Sequence, residues 1–112
     1  AVKGVQFGAG FDFAEMLGSQ ANDGYEMRNG KVALLSNNNG GILGGMTSGA
    51  PIIFSVVLKP TPSVSVPQKS VNLQTMENET LIVKGRHDPC VVPRAVPVIE
   101  GITAVTLLDL MM

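Results

Sequence analysis

The segment Gly85–Cys90 carries the densest chemistry in the sequence, because an arginine, a histidine and an aspartate are consecutive within it. Arg86 can bind a phosphate or carboxylate through two parallel hydrogen bonds. Asp88 can accept a hydrogen bond or a proton, and Pro89 keeps its backbone out of the helical region. The segment is a candidate for anion binding and proton transfer. In the alternative, Asp88 caps a turn and pairs locally with Arg86, and His87 is an ordinary satisfied polar residue.

A second candidate is the run Ser36–Gly49, which is rich in asparagine and glycine. Consecutive backbone N–H groups, with glycines that tolerate left-handed φ, can surround an anion or let a flat ring lie against the backbone. The spacing matches neither the dinucleotide nor the P-loop glycine pattern. The alternative is a bulged hairpin or a strand crossing with close backbone contact.

Lys59 is a third candidate, since it ends the apolar segment Pro51–Lys59 and precedes a proline-rich loop. Burying an unpaired lysine is costly. Its ammonium group therefore either enters an anion site or extends into solvent from the strand end. The single cysteine and single histidine exclude an intramolecular disulfide and a Cys/His zinc site.

Composition narrows the class of protein. The chain has 112 residues, of which 45% are hydrophobic and only 15% charged, against about 25% charged in globular proteins generally. This balance argues against disorder, and a net charge of −1 argues against nucleic-acid binding. The longest apolar stretch, within Gly101–Leu108, is far shorter than the roughly 20 residues of a membrane span. We expect a soluble protein of a reducing compartment, with no metal.

The first part of the chain predicts a strand followed by a short helix. Apolar residues alternate with small or polar ones over Lys3–Gly8, as in a half-buried strand. Asp12 is the candidate N-cap of the helix, with Glu15 completing a capping box. The helix should end by Gly18 or run on to Ala21.

The Asn29-Gly30 pair is the strongest hairpin signal in the sequence, and it should join strands at Tyr25–Arg28 and Lys31–Leu35. The nearly continuous apolar character of Pro51–Lys59 predicts a strand buried on both faces. Shorter strands are expected at Ser70–Leu73 and Glu79–Val83, around a turn at Met76–Asn78.

A long helix is predicted from Pro93 or Pro97 to Met112, because proline suits the first helical turn. It is apolar on most faces, so we expect it to be buried. Arg94 and Glu100 should be ion-paired or face a subunit boundary. The fold class is therefore α+β, with mainly antiparallel strands packed on helices and a long buried C-terminal helix.

These segments together resemble the C-terminal part of chorismate synthase, nearly end to end and in order. The blocks that carry the resemblance are Lys3-Gly4-Val5, Gly18-Ser19-Gln20-Ala21-Asn22-Asp23, Ser36-Asn37-Asn38, Gly40-Gly41-Ile42-Leu43-Gly44-Gly45-Met46, Leu58-Lys59-Pro60-Thr61, Gly85-Arg86-His87-Asp88-Pro89-Cys90, Arg94-Ala95-Val96-Pro97 and Glu100. The block at Gly85–Cys90 resembles a family signature.

The resemblance implies an enzyme of the shikimate pathway, in aromatic amino-acid biosynthesis. The family converts 5-enolpyruvylshikimate 3-phosphate to chorismate and phosphate by a 1,4-elimination. It requires reduced FMN without net redox change, is also associated with NADP, and forms a cytoplasmic homotetramer with a β-α-β sandwich core. Neither nucleic acid nor a membrane is an expected partner.

The resemblance also assigns site residues. Asp88 resembles the aspartate near flavin N5 that assists proton transfer, and Arg86 resembles an arginine that contacts flavin and substrate. The remaining expected flavin contacts are Asn38, Asn39, Leu58, Lys59 and Ser63. The family commonly has alanine where this chain has Asn39, and often threonine where it has Ser63.

The two catalytic histidines of the family belong to an N-terminal part with no counterpart here, and His87 matches neither. We therefore expect residues 1–112 to form a single domain, the C-terminal portion of a longer enzyme, and to be inactive alone. The start at Ala1 and the apolar end at Met112 favour this interpretation over trimmed tails. Two alternatives are a non-catalytic oligomerisation scaffold and generic phosphate binding by the glycine-rich run.

Overall fold

The computed structural model describes residues 1–112, which divide into two units: Val2–Val57, and Leu58–Met112 together with Ala1. The first unit contains strand β1 (Val2–Phe7), a 3-10 helix (Gly10–Glu15), helix α1 (Gly18–Ala21), and strands β2 (Tyr25–Arg28), β3 (Lys31–Leu34), β4 (Ile42–Leu43), β5 (Met46–Thr47) and most of β6 (Phe54–Leu58). The second contains β7 (Gln68–Asn72), β8 (Glu77–Leu81) and helix α2 (Val92–Met111).

The strands form four two-stranded sheets. β2 pairs with β3, β4 with β5 and β7 with β8, each antiparallel, while β1 is hydrogen-bonded to β6. This agrees with the predicted mixture of helix and mainly antiparallel strand. None of the helices combines the length and apolar character that crossing a membrane requires.

The β2–β3 hairpin confirms the signal at Asn29-Gly30. Both residues have positive φ, 53° and 75°, as a type I′ turn requires. Tyr25 lies opposite Leu34, and the Leu35 N–H donates to the carbonyl of Gly24 at 2.9 Å. The register therefore continues past the strand ends and brings the residues before β2 opposite those after β3.

β1 confirms the predicted first strand, but the helix after it differs from the prediction. Residues 10–15 form a 3-10 helix whose N-cap position is Ala9, and a separate turn of α-helix covers residues 18–21. The Asp12 N–H donates to the Ala9 carbonyl at 3.0 Å. Asp12 is thus already inside the first turn, which is why its side chain is not the cap.

The glycines of the asparagine–glycine run allow the backbone to cross at short range. Gly8 and Ile53 are joined by a hydrogen bond from the Gly8 N–H to the Ile53 carbonyl, and the Ile53 N–H donates to the Gly40 carbonyl, both at 3.0 Å. A Cβ atom at Gly40 would lie 2.3 Å from the Gly8 nitrogen and 2.6 Å from the Ile53 oxygen. The run therefore forms the strand crossing with close backbone contact that was the alternative to a binding loop.

The β7–β8 hairpin turns earlier than predicted, at residues 73–76 instead of 76–78. The Asn72 side-chain oxygen accepts hydrogen bonds from the backbone of Gln74 and Thr75, and the Met76 N–H donates to the Asn72 carbonyl. Asparagine starts turns by this contact. This contact starts the turn directly after β7, earlier in the chain than the hydropathy pattern predicted.

Helix α2 has the predicted extent, with Pro93 in its first turn and Pro97 inside it, but the prediction that it is buried is wrong. Val98, Ile102 and Val105 form a stripe at i, i+4 and i+7 and are 67%, 62% and 64% exposed. The only other regular structure of its unit from Gln68 onward is a two-stranded hairpin, which supplies no layer that covers these side chains.

β6 was also expected to be buried on both faces, but one face is only half-buried and the other is exposed. Phe54, Val56 and Leu58 are half-buried, whereas Ser55 and Val57 are exposed. The sandwich core implied by the resemblance stays a prediction.

Alanine substitutions at two glycines should separate backbone conformation from close contact. Gly40 and Gly44 have nearly equal φ, 62° and 60°, but nothing lies within 4 Å of a Cβ at Gly44. Gly44→Ala should cost about 1–2 kcal/mol of unfolding free energy, the price of a left-handed residue. Gly40→Ala should cost several times more, since backbone atoms must move. Equal urea-unfolding free energies for the two variants would contradict the crossing described above.

Candidate functional site

The Asp23 carboxylate organises the loop Ser36–Gly41, which carries the predicted site residues of the first unit. Its Oδ1 accepts from the Ser36 hydroxyl at 2.6 Å and from the Asn38 N–H at 2.7 Å. Its Oδ2 accepts from the Asn39 N–H at 2.9 Å and from the Asn39 side-chain amide at 2.8 Å. Both oxygens therefore accept two hydrogen bonds each, all from one short segment.

These contacts change the acidity of Asp23. Partial burial would raise its pKa, but the hydrogen bonds from Ser36 and from Asn38 and Asn39 stabilise the ionised form more strongly. The pKa falls from 3.8 to about 2. The carboxylate is ionised at neutral pH. It already accepts hydrogen bonds from the consecutive N–H groups that were predicted as an anion site.

The other polar groups of the loop are also bound within the unit. The Asn37 amide donates to the Pro51 carbonyl at 2.9 Å, and its oxygen accepts from the Gly41 N–H at 2.8 Å. The Asn38 carbonyl accepts from the Ala9 N–H at 2.8 Å. Asn38 and Asn39, both predicted flavin contacts, are half-buried in this network.

Asp23 was not predicted as a site residue and was named only as the last residue of the block Gly18–Asp23 that carries the resemblance. A signal was available, since extending the register set by Asn29-Gly30 places residue 23 opposite residue 36. A carboxylate accepts hydrogen bonds at both of its oxygens. Opposite a serine at the start of a run of asparagines, it faces hydroxyl and amide groups that can donate to both.

In the second unit, one group of predicted site residues lies on the loop after β6. Leu58 is the half-buried last residue of that strand, and the Lys59 N–H donates to the Ala1 carbonyl at 2.8 Å, while Lys59 as a whole is exposed. The Thr61 hydroxyl is buried without a hydrogen-bond partner, and Ser63 is half-buried. Buried polar atoms are rarely left unpaired, so this hydroxyl is free to bond to a group outside the chain. Thr61 is therefore a further candidate, which we did not predict from the sequence.

The signature segment Gly85–Cys90 carries the other predicted site residues of this second unit. Asp88 forms an ion pair through Oδ2 with the Arg94 Nη2 atom at 2.8 Å. This confirms the expectation that Arg94 is ion-paired, and it gives Asp88 a partner on α2 instead of Arg86. Arg86 is exposed. His87 Nε2 lies 3.1 Å from the Val83 carbonyl, so the ring donates there, as expected of a satisfied polar histidine.

The predicted residues are thus distributed over both units. In the first, Asn38 and Asn39 share the carboxylate of Asp23. In the second, Lys59 and Ser63 flank the orphan hydroxyl in sequence, while Arg86 and Asp88 lie on the loop before α2. The chemistry available is a pair of asparagine amides, a cationic loop with hydroxyl donors, and a carboxylate beside a guanidinium.

Comparison with known proteins identifies similar chains. The sequence model of the chorismate synthase family matches residues 1–112. The chain is 53% identical over 109 residues to the chorismate synthase of Thermococcus gammatolerans, which covers 97% of this chain and 31% of that protein. It is 49% identical to the enzyme of Archaeoglobus fulgidus over 112 residues, 100% of this chain and 31% of that one. The chain therefore spans about a third of the length of these relatives.

The Asp23 network predicts a specific loss of stability in acid. Because the folded-state pKa is about 2 and the ordinary value is 3.8, the contribution of Asp23 is complete above pH 3.8 and is lost as the pH falls toward 2. Asp23→Asn should lower the unfolding free energy at neutral pH by about 1–2 kcal/mol, allowing for solvent screening. The deficit should shrink in acid. Urea unfolding across pH 7 to 2 measures it, and a deficit constant with pH would contradict the assignment.

Proposed function

The chain belongs to the chorismate synthase family, and we propose that it is the C-terminal portion of an enzyme that converts 5-enolpyruvylshikimate 3-phosphate to chorismate and phosphate. The observation that carries the proposal is the family match over all 112 residues. Because the chain spans about a third of its relatives, we propose that its own contribution is to bind reduced FMN and to support assembly, with the catalytic histidines elsewhere.

The loop Lys59–Ser63 is proposed to hold an anionic group of the cofactor or substrate. Lys59 supplies a point charge, and Ser63 supplies a hydroxyl donor close to it in sequence. The unpaired Thr61 hydroxyl supports this role, since a phosphate oxygen would satisfy a donor that the chain leaves unmet. These three side chains fit the phosphate of FMN by charge and by hydrogen-bonding type.

Asp88 is proposed as the proton-transfer residue and Arg86 as the arginine that contacts flavin and substrate. Asp88 is paired with Arg94 through its Oδ2 atom at 2.8 Å. Its carboxylate is the group proposed to receive the proton, while the guanidinium steadies the side chain. Reduced FMN, when bound, supplies the electron density that helps to expel phosphate.

A second proposal is that the chain acts only as an oligomerisation scaffold. The exposed apolar stripe of α2 favours it, because apolar faces of this kind are usually covered in an assembly. The two proposals differ in whether single charged residues control flavin affinity.

Flavin affinity tests the first proposal. In the full-length protein that contains this chain, Lys59→Ala and Asp88→Ala should each weaken FMN binding by about tenfold, the effect of losing one charged contact. Lys69→Ala, at an exposed lysine of β7, is the matched control and should have little effect. A stable oligomer with unchanged FMN affinity in both variants would favour the scaffold.

Activity of the isolated chain is a further test. The 112-residue chain should form no chorismate from 5-enolpyruvylshikimate 3-phosphate with reduced FMN, whereas the full-length protein should do so under the same conditions. Release of phosphate at comparable rates by both would contradict the assignment of the catalytic histidines to the remainder of the protein.

A further inference from the structure

We propose that Asp23 is a positioning residue for flavin binding, which fixes Asn38 and Asn39 so that the loop presents acceptor oxygens, and not backbone N–H groups, to the cofactor. The inference rests on the proposed function, in which Asn38 and Asn39 contact FMN. Asp23 itself touches the loop and is not assigned a contact with flavin or substrate.

The first support is that Asp23 binds donors only. Its four hydrogen bonds use the Asn38 N–H, the Asn39 N–H, the Asn39 side-chain amide and the Ser36 hydroxyl. Because the Asn39 amide nitrogen is bound to the carboxylate, the side-chain oxygen of Asn39 is directed away from Asp23 and can accept from a ligand. An amide oxygen accepts and cannot donate.

Asn38 is constrained in the same way. Its N–H is bound to Asp23, its side-chain nitrogen donates to the Gln20 carbonyl at 3.3 Å, and its own carbonyl accepts from Ala9. The backbone N–H of both asparagines and one N–H of each side-chain amide are thus bound inside the unit. The side-chain oxygens remain as acceptors, which suit the ring N–H of a flavin.

The second support is the charge that Asp23 places in the loop. Two consecutive N–H groups without a carboxylate would form a concave site for any small anion. With Asp23 ionised, that position is already filled by a negative group of the chain. Asp23 therefore also determines specificity, since it excludes free anions from a loop that would otherwise attract them.

The test compares two substitutions in the hydrogen-bond network of Asp23, one at the carboxylate itself and one at the Ser36 hydroxyl. Asp23→Asn keeps the shape of the side chain but replaces one acceptor oxygen with an NH₂ group, which faces either the two Asn39 donors or the Asn38 N–H and the Ser36 hydroxyl. Ser36→Ala removes the hydroxyl bond to Asp23 and leaves the three bonds to the asparagines. Both variants, in the full-length protein, should lose stability in urea unfolding.

Their effect on FMN should differ. Asp23→Asn should weaken FMN binding by at least about tenfold and should shift the visible absorption of bound FMN, which reports hydrogen bonds to the ring. Ser36→Ala should have the smaller effect on both, with FMN binding weakened by no more than about twofold, because the three bonds from the asparagines to Asp23 remain. Flavin affinity unchanged in Asp23→Asn, or lowered equally in both variants, would overturn the inference.

Lys59→Ala and Asp88→Ala separate this outcome from failure of the proposed function. If they weaken FMN binding and Asp23→Asn does not, only the role of Asp23 is wrong. If the unmodified protein does not bind FMN, the proposed function is wrong and the inference is overturned with it.

Discussion

One carboxylate and its four hydrogen bonds set the conformation of the asparagine–glycine loop. Asp23 is in place because a two-residue turn with both φ angles positive fixes the register of β2 and β3. A register shift of one residue would turn every side chain of the hairpin to the opposite face and would carry Asp23 away from Ser36. The loop therefore depends on a turn at the far end of the hairpin.

The glycine crossing gives the same loop a second anchor. Gly8 and Gly40 approach so closely that neither has room for a side chain, and Ile53 bonds to both through its backbone. The carboxylate holds Ser36, Asn38 and Asn39 by hydrogen bonds, and the crossing holds Gly40 by close backbone contact. Asn38 and Asn39 lie between the two anchors, which leaves little backbone freedom at the residues proposed to contact flavin.

The predictions that were confirmed depend on a few neighbouring residues. Asn29-Gly30 predicted its hairpin, and proline in the first turn predicted the start of α2. The prediction of an N-cap failed at Asp12, since the capping pattern does not reveal that the preceding residues already form a turn. The prediction that α2 is buried was wrong for a different reason. The apolar character of a helix shows that it can be buried, but it does not show which other element covers it. Asp23 and Thr61 were missed because their importance depends on contacts, or on an absent contact, that residue type alone does not reveal.

The short range of the Asp23 contacts has a consequence for the order of folding. The groups that bind the carboxylate are only 13 to 16 residues further along the chain. Contacts of low sequence separation close quickly, and hairpins form within microseconds. The loop can thus be assembled while later segments emerge from the ribosome, whereas α2, whose apolar stripe stays uncovered, is the segment most in need of protection from aggregation during synthesis.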